Sequence, residues 1–112
     1  MTLWFLRGLS RGVVTTRYPA RADQATALLP TPPAFRPGAI GPEEADQLAA
    51  LCPSRALKRE GAELVFDAGA CTACGRCEQA SPAVRESGHF ELAATSRRDL
   101  VKRIPLKPEA GR

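Results

Sequence analysis

The cysteines are the residues whose type and spacing point to chemistry. Three fall three positions apart, in Cys71-Thr72-Ala73-Cys74-Gly75-Arg76-Cys77, and the fourth, Cys52, stands upstream with Pro53 directly after it. The chain holds four cysteines in all, so they form one site or none. A C-x2-C-x2-C run wraps three corners of an iron–sulfur cube, and a distant thiolate closes the fourth. The reading is a single [4Fe-4S] cluster held by Cys52, Cys71, Cys74 and Cys77. A structural zinc on the same thiols is the alternative. Four-cysteine zinc sites usually pair two C-x2-C knuckles, whereas the division here is three and one. Two disulfides would need an oxidising compartment. The apolar start, Leu3 to Leu9, is broken by Arg7 and lacks the small-residue cleavage site of a secretory signal.

Other candidates are weaker. His89 is the lone histidine and follows Gly88, which reads as a surface turn and not a ligand. Ser81 is a conceivable hydroxyl ligand in place of Cys52, but reads better as a helix-end residue. There is no nucleophile–base pair and no phosphate-binding glycine loop, so no residue is expected to be catalytic.

A repeat is hidden in the spacing. The two-cluster ferredoxin run is C-x2-C-x2-C-x3-C-P, and its fourth cysteine serves the other cluster. Counting on from Cys77, the fourth position is Ser81, followed by Pro82; counting back from Cys52-Pro53, the three earlier positions are Leu48, Ala45 and Pro42. One motif has lost its last cysteine and the other its first three. The survivors are the crossed set that serves one cluster. The positions that would have served the other, Pro42, Ala45, Leu48 and Ser81, are all emptied together. Gly75 is expected to let the loop backbone approach the sulfurs, with N–H groups bonding them. Arg76 adds a positive charge that favours a reduced cluster.

The elements that must position these residues can be read outward from them. Residues 42 to 51 read as a helix, with Pro42 at its first position and Glu43 and Glu44 at the positive end of its dipole. Ala45, Leu48, Ala49 and Cys52 share its apolar face, and Pro53 ends it. Leu57–Lys58 and Leu64–Phe66 read as short strands turning around Gly61. A turn of helix is expected from Cys77 until Pro82. Val84 and the Phe90 to Leu92 segment read as another strand pair around Gly88. Upstream, residues 2 to 16 can form an amphipathic helix, with Phe5, Leu6, Leu9 and Val13 on one face and Arg7 and Arg11 away from it. It reads as an interfacial helix on a membrane or membrane subunit; the alternative is a helix covering the chain's own core. Pro19, Pro30, Pro32, Pro33, Pro37 and Pro42 make the following stretch an extended connector, whose Tyr18, Leu28, Leu29, Phe35 and Ile40 suit a draped contact. The tail from Ser96, with Arg97, Arg98, Lys102, Arg103 and Lys107, reads as extended and docked on something acidic. The division is thus 1–18 interface helix, 19–41 connector, 42–94 cluster domain and 95–112 basic tail.

Bulk properties agree with one small domain that needs help to hold its shape. The chain has 112 residues, 5% aromatic, with ten prolines and nine glycines, so its own apolar core is expected to be thin. A net charge of +4 suits an anionic membrane surface or an acidic partner. No aromatic-interleaved basic patch is present, and nucleic acid is not expected as a partner. Nothing approaches the length of a membrane span.

The sequence resembles the ferredoxin-like iron–sulfur subunit of formate hydrogenlyase and related membrane-bound [NiFe] hydrogenases, a family that includes the two-cluster subunit of respiratory complex I. The stretches that carry the resemblance run from Gly12-Val13-Val14-Thr15-Thr16-Arg17-Tyr18-Pro19 through Phe35-Arg36 and Cys52-Pro53-Ser54-Arg55-Ala56-Leu57. They continue in Cys71-Thr72-Ala73-Cys74-Gly75-Arg76-Cys77-Glu78 and Phe90-Glu91-Leu92-Ala93. The resemblance implies an α+β, bacterial ferredoxin-like fold, here a degenerate two-cluster fold retaining one cluster, with an N-terminal amphipathic helix and extended tails. It implies a non-catalytic electron-transfer subunit beside the large and small hydrogenase subunits and a membrane-arm subunit. Peripheral contact would run through residues 2–16, at the cytoplasmic side of the inner (plasma) membrane. The departure is that one of the family's two clusters has no ligands. A structural clamp in a complex I-like oxidoreductase and a zinc interaction module are the alternatives.

Overall fold

The computed structural model describes residues 3–12, 15 and 17–108, without the side chains of residues 25 and 26. Among these residues it is a small α+β protein with three α-helices and two antiparallel sheets. The elements are α1 (Leu3–Arg11), β1 (Pro33–Phe35), α2 (Pro42–Leu51), β2 (Leu57–Glu60), β3 (Glu63–Asp67), α3 (Arg76–Ala80), β4 (Val84–Glu86) and β5 (Val101–Pro105), with 3-10 turns at Gln24–Leu28 and Arg97–Leu100.

The order of elements falls into two similar halves. The first runs β1, α2, Cys52-Pro53, β2. The second runs β3, the cysteine loop with α3, Ser81-Pro82, β4. The inner strands pair as a hairpin, Leu57 opposite Phe66 and Glu60 opposite Glu63, and Gly61 turns it with φ +59°. The outer strands pair with each other, Pro33 opposite Glu86 and Phe35 opposite Val84. The ring of Phe35 lies 5.1 Å from that of Phe66, which ties the two-stranded sheet to the hairpin sheet.

Local chemistry explains the helix that matters most. Pro42 opens α2, where its missing N–H would be an orphan in any case. Glu43 and Glu44 occupy its first turn, against the positive end of the helix dipole. Ala45 and Leu48 are buried by it, and the chain leaves helical geometry at Cys52, before Pro53. The core is thin, as composition implied. It consists of Ile40, Ala45, Leu48, Ala56, Leu57, Leu64, Phe66, Val84, Ile104 and Leu106.

Two expectations are corrected. Phe90 to Leu92 is not a strand; β4 pairs with β1 instead, inside what read as a proline-rich connector. The basic tail is not simply extended. Its β5 is the third strand of the hairpin sheet, with Leu64 opposite Ile104 and Asp67 opposite Val101. The acidic surface it meets is the chain's own, since Arg103 bonds the carboxylates of Glu60 and Glu63 at 3.0 and 3.1 Å and Arg97 bonds Asp67 at 3.1 Å.

The N-terminal helix stands apart. α1 buries no residue, and its Trp4, Phe5, Leu6 and Leu9 are all exposed. It does not cover the core. It stops at Arg11, and Gly12 takes φ +62°, the left-handed conformation in which many helices end. The helix expected to run to residue 16 is thus shorter, since Gly12 and Thr15 are not helical; residues 13, 14 and 16 lie outside the described residues. The molecule measures 76 × 26 × 23 Å, with a radius of gyration of 19.8 Å, against about 13 Å for a compact chain of this length. Tyr18 fastens the approach to this arm. Its ring lies 5.5 Å from that of Phe90 at a tilt of 56°, and its bond to Glu91 holds the phenol above its usual pKa. No helix among the described residues is long and apolar enough to cross a membrane.

Candidate metal centre

The structure brings all four cysteines to one pocket. Cys52 enters from the end of α2, Cys71 and Cys74 from the loop after β3, and Cys77 from the first turn of α3; Ala56, Leu57 and Phe66 form its apolar wall. All four are free thiols. Cys52, Cys71 and Cys77 are half-buried and pack against the core, whereas Cys74 is exposed. Among the described residues no three His, Cys, Asp or Glu side chains are gathered tightly enough to hold a single metal ion. The four thiols line one cavity.

Backbone conformation sets the loop. Ala73 and Gly75 adopt φ +53° and +76°, left-handed values that reverse the chain between successive cysteines. Gly75 precedes α3 as its cap residue. Its demand is conformational, because an added Cβ would meet no protein atom within 4 Å but would be strained at this φ. On the far side of the pocket Arg55 also takes a left-handed φ of +55°, which turns the chain back toward Cys52.

The sulfurs receive hydrogen bonds suited to thiolates. The Ala73 N–H donates to Cys71 Sγ at 3.4 Å and the Ala56 N–H to Cys52 Sγ at 3.3 Å. The Ser54 hydroxyl lies 3.5 Å from Cys52 Sγ. Burial pushes the Cys52 thiol up, but the Ser54 hydroxyl and the N–H groups of Ala56, Ser54 and Leu57 outweigh it and leave the pKa below the ordinary thiol value. Cys77 goes the other way. Burial raises it, the N–H of Glu78 opposes this, and the nearby Cys71 and Cys74 raise it further. Arg76, Glu78 and Glu86 stand at the pocket rim.

No protein-family model and no characterised protein sequence matches this chain. Four cysteine thiols are the ligand complement of a [4Fe-4S] cluster or of a four-cysteine zinc. The N–H···S bonds fit either as the outer support that such ligands receive.

The related positions in the other half are filled. Ala45, Leu48 and Ser81 are 0%, 2% and 1% exposed, and Ser81 donates its hydroxyl hydrogen to Glu44 while accepting from the Ala83 N–H at 3.2 Å. Ser81 is thus fully engaged on the α2 side of the fold and is not among the residues lining the cysteine pocket. His89 is exposed beyond Gly88, away from that pocket. Sequence reasoning did not find Ser54, whose hydroxyl faces Cys52; only its place two residues after that cysteine hinted at it.

Proposed function

We propose that this chain is a ferredoxin-like electron-transfer subunit that holds one [4Fe-4S] cluster on Cys52, Cys71, Cys74 and Cys77. The observation that carries the reading is the crossed use of two similar halves. Cysteines from both halves line one pocket, while Pro42, Ala45, Leu48 and Ser81, at the corresponding positions, carry no thiol, and the last three are buried in packed protein.

A bound cluster supplies one-electron uptake and release. The chain's part is to hold it and tune it. Backbone N–H groups of Ala56 and Ala73 stabilise negative charge on the sulfurs. Leu57 and Phe66 dry the inner wall of the pocket, which penalises added charge. Arg76 at the rim offsets that penalty.

The parent assembly we propose is a membrane-associated [NiFe] hydrogenase or formate hydrogenlyase-type complex, with the large and small hydrogenase subunits and a membrane-arm subunit as neighbours. Support comes from the resemblance in the sequence and from α1, an amphipathic helix that buries nothing of its own chain. Its apolar face and Arg7 and Arg11 suit the cytoplasmic surface of the inner membrane.

Anaerobic purification with iron and sulfide assays, followed by electron paramagnetic resonance before and after dithionite, tests the cluster. Four irons per chain and a signal that appears on reduction are expected. Colourless, zinc-loaded protein would overturn the reading. A cluster whose signal never changes during turnover of the purified complex would leave the chain a structural clamp.

A further inference from the structure

We infer that this chain has a single electron port, the surface around Cys74, so that electron donor and electron acceptor must use the same face in turn. The inference rests on the cluster reading above and goes beyond it. A protein with two clusters has two ends and can conduct through its body. Here Ala45, Leu48 and Ser81, at 0%, 2% and 1% exposure, fill the positions that would have held the second relay. An electron leaving in that direction meets α2 and the core with no stopping place, and tunnelling falls steeply with distance.

The four thiols are not equivalent toward solvent. Cys52, Cys71 and Cys77 are half-buried and pack against the core, and Cys74 alone of the four is exposed. Its surroundings in the loop, Thr72 and Arg76, are exposed as well. The rim combines the cation Arg76 with the carboxylates Glu78 and Glu86, a balance that selects neither a strongly acidic nor a strongly basic partner. Proximity, and not charge, is what the port offers. The partner is one that presents its own redox group close to a contact of mixed charge. Exchange through the port moves one electron, with no bond made and no proton transferred.

Stopped-flow oxidation of the dithionite-reduced, iron-loaded chain tests this with two small oxidants of opposite charge, ferricyanide and hexaamminecobalt(III). Each takes one electron per protein, becoming ferrocyanide or cobalt(II). Thr72→Trp covers the port; Gln47→Trp adds the same bulk to the exposed face of α2. Thr72→Trp is expected to slow oxidation by both reagents on the order of tenfold, as holding reacting centres apart does. Re-reduction by dithionite should slow by a similar factor, with the midpoint potential unchanged. Gln47→Trp should leave all three rates as they are. Equal slowing by the two variants, no slowing by Thr72→Trp, or slowing in one direction only would overturn the single port. If Thr72→Trp loses iron, Glu78→Trp at the same rim takes its place, under the same criteria. Iron content of the unsubstituted chain is read first: absence of iron overturns the cluster itself, whereas iron with unaffected rates overturns the port alone.

Discussion

Ser81 and Glu44, 37 residues apart in the chain, are joined by a hydrogen bond from the serine hydroxyl to the carboxylate. Ser81 stands where a repeated cysteine motif would place its last thiol, and Glu44 lies in the first turn of α2. The bond closes the filled half of the fold. Ser81→Ala is expected to lower stability by about 1–3 kcal/mol, the cost of breaking a part-buried bond to a charged acceptor. Iron content should not change. Urea denaturation with an iron assay on the same sample checks both; loss of iron would place Ser81 at the cluster and sink the crossed assignment.

Cys52→Ala should prevent stable assembly of the [4Fe-4S] cluster, because the other three thiols all come from the single stretch of residues 71–77 and leave a corner open. Visible absorbance after anaerobic reconstitution reads it. A cluster of full iron content in the variant would show that the upstream half contributes no ligand.

Leu48→Ala tests whether the second half is filled by packing. Leu48 is 2% exposed beneath α2, so truncation should cost about 2–5 kcal/mol. Thermal or urea unfolding measures it, and a loss well under ~1 kcal/mol would mean that this region is loosely packed.

In cluster-free protein the thiols should alkylate in a defined order as pH rises. Cys52 is held below the ordinary thiol pKa and Cys77 above it. The reactive thiolate therefore appears at lower pH on Cys52 than on Cys77. Iodoacetamide labelling across pH, followed by peptide mass mapping, gives the two profiles. The reverse order would mean that the Ala56 and Ser54 bonds do not survive without the cluster.

The chain's single tryptophan, Trp4, is exposed on α1 and serves as a reporter of membrane contact. Anionic phospholipid vesicles should shift its emission to the blue, and Phe5→Glu with Leu9→Glu should abolish the shift. No shift with the unsubstituted chain would direct α1 to a protein partner instead.

Much of the site was legible locally. Proline at both ends of α2, acidic residues in its first turn and the spacing of Ala45, Leu48 and Cys52 are all contained in a short stretch, and short-range sterics and hydrogen bonding act on that scale. The hairpin at Gly61 belongs to the same class, whereas the left-handed backbone at Ala73 and Gly75 emerged only from the folded chain. The spacing of the four cysteines and of Pro42, Ala45, Leu48 and Ser81 against a two-cluster run was also visible without coordinates, because it is a matter of counting.

Strand partners were not legible, since pairing depends on which segments meet and not on neighbours in the chain. β1 is three residues long, begins with a proline and finds β4 far downstream; an edge strand can carry a proline whose missing donor faces away from the ladder. β5 hid beneath basic residues, because Lys102 and Arg103 obscure the apolar Ile104 and Leu106 that turn inward. The exposure of Cys74, against the half-burial of the other three thiols, likewise emerged only from the folded chain. The sequence by itself determined how many sulfurs there are and how they are spaced; the tertiary structure decided which of them faces outward, because burial is a property of the whole packed assembly.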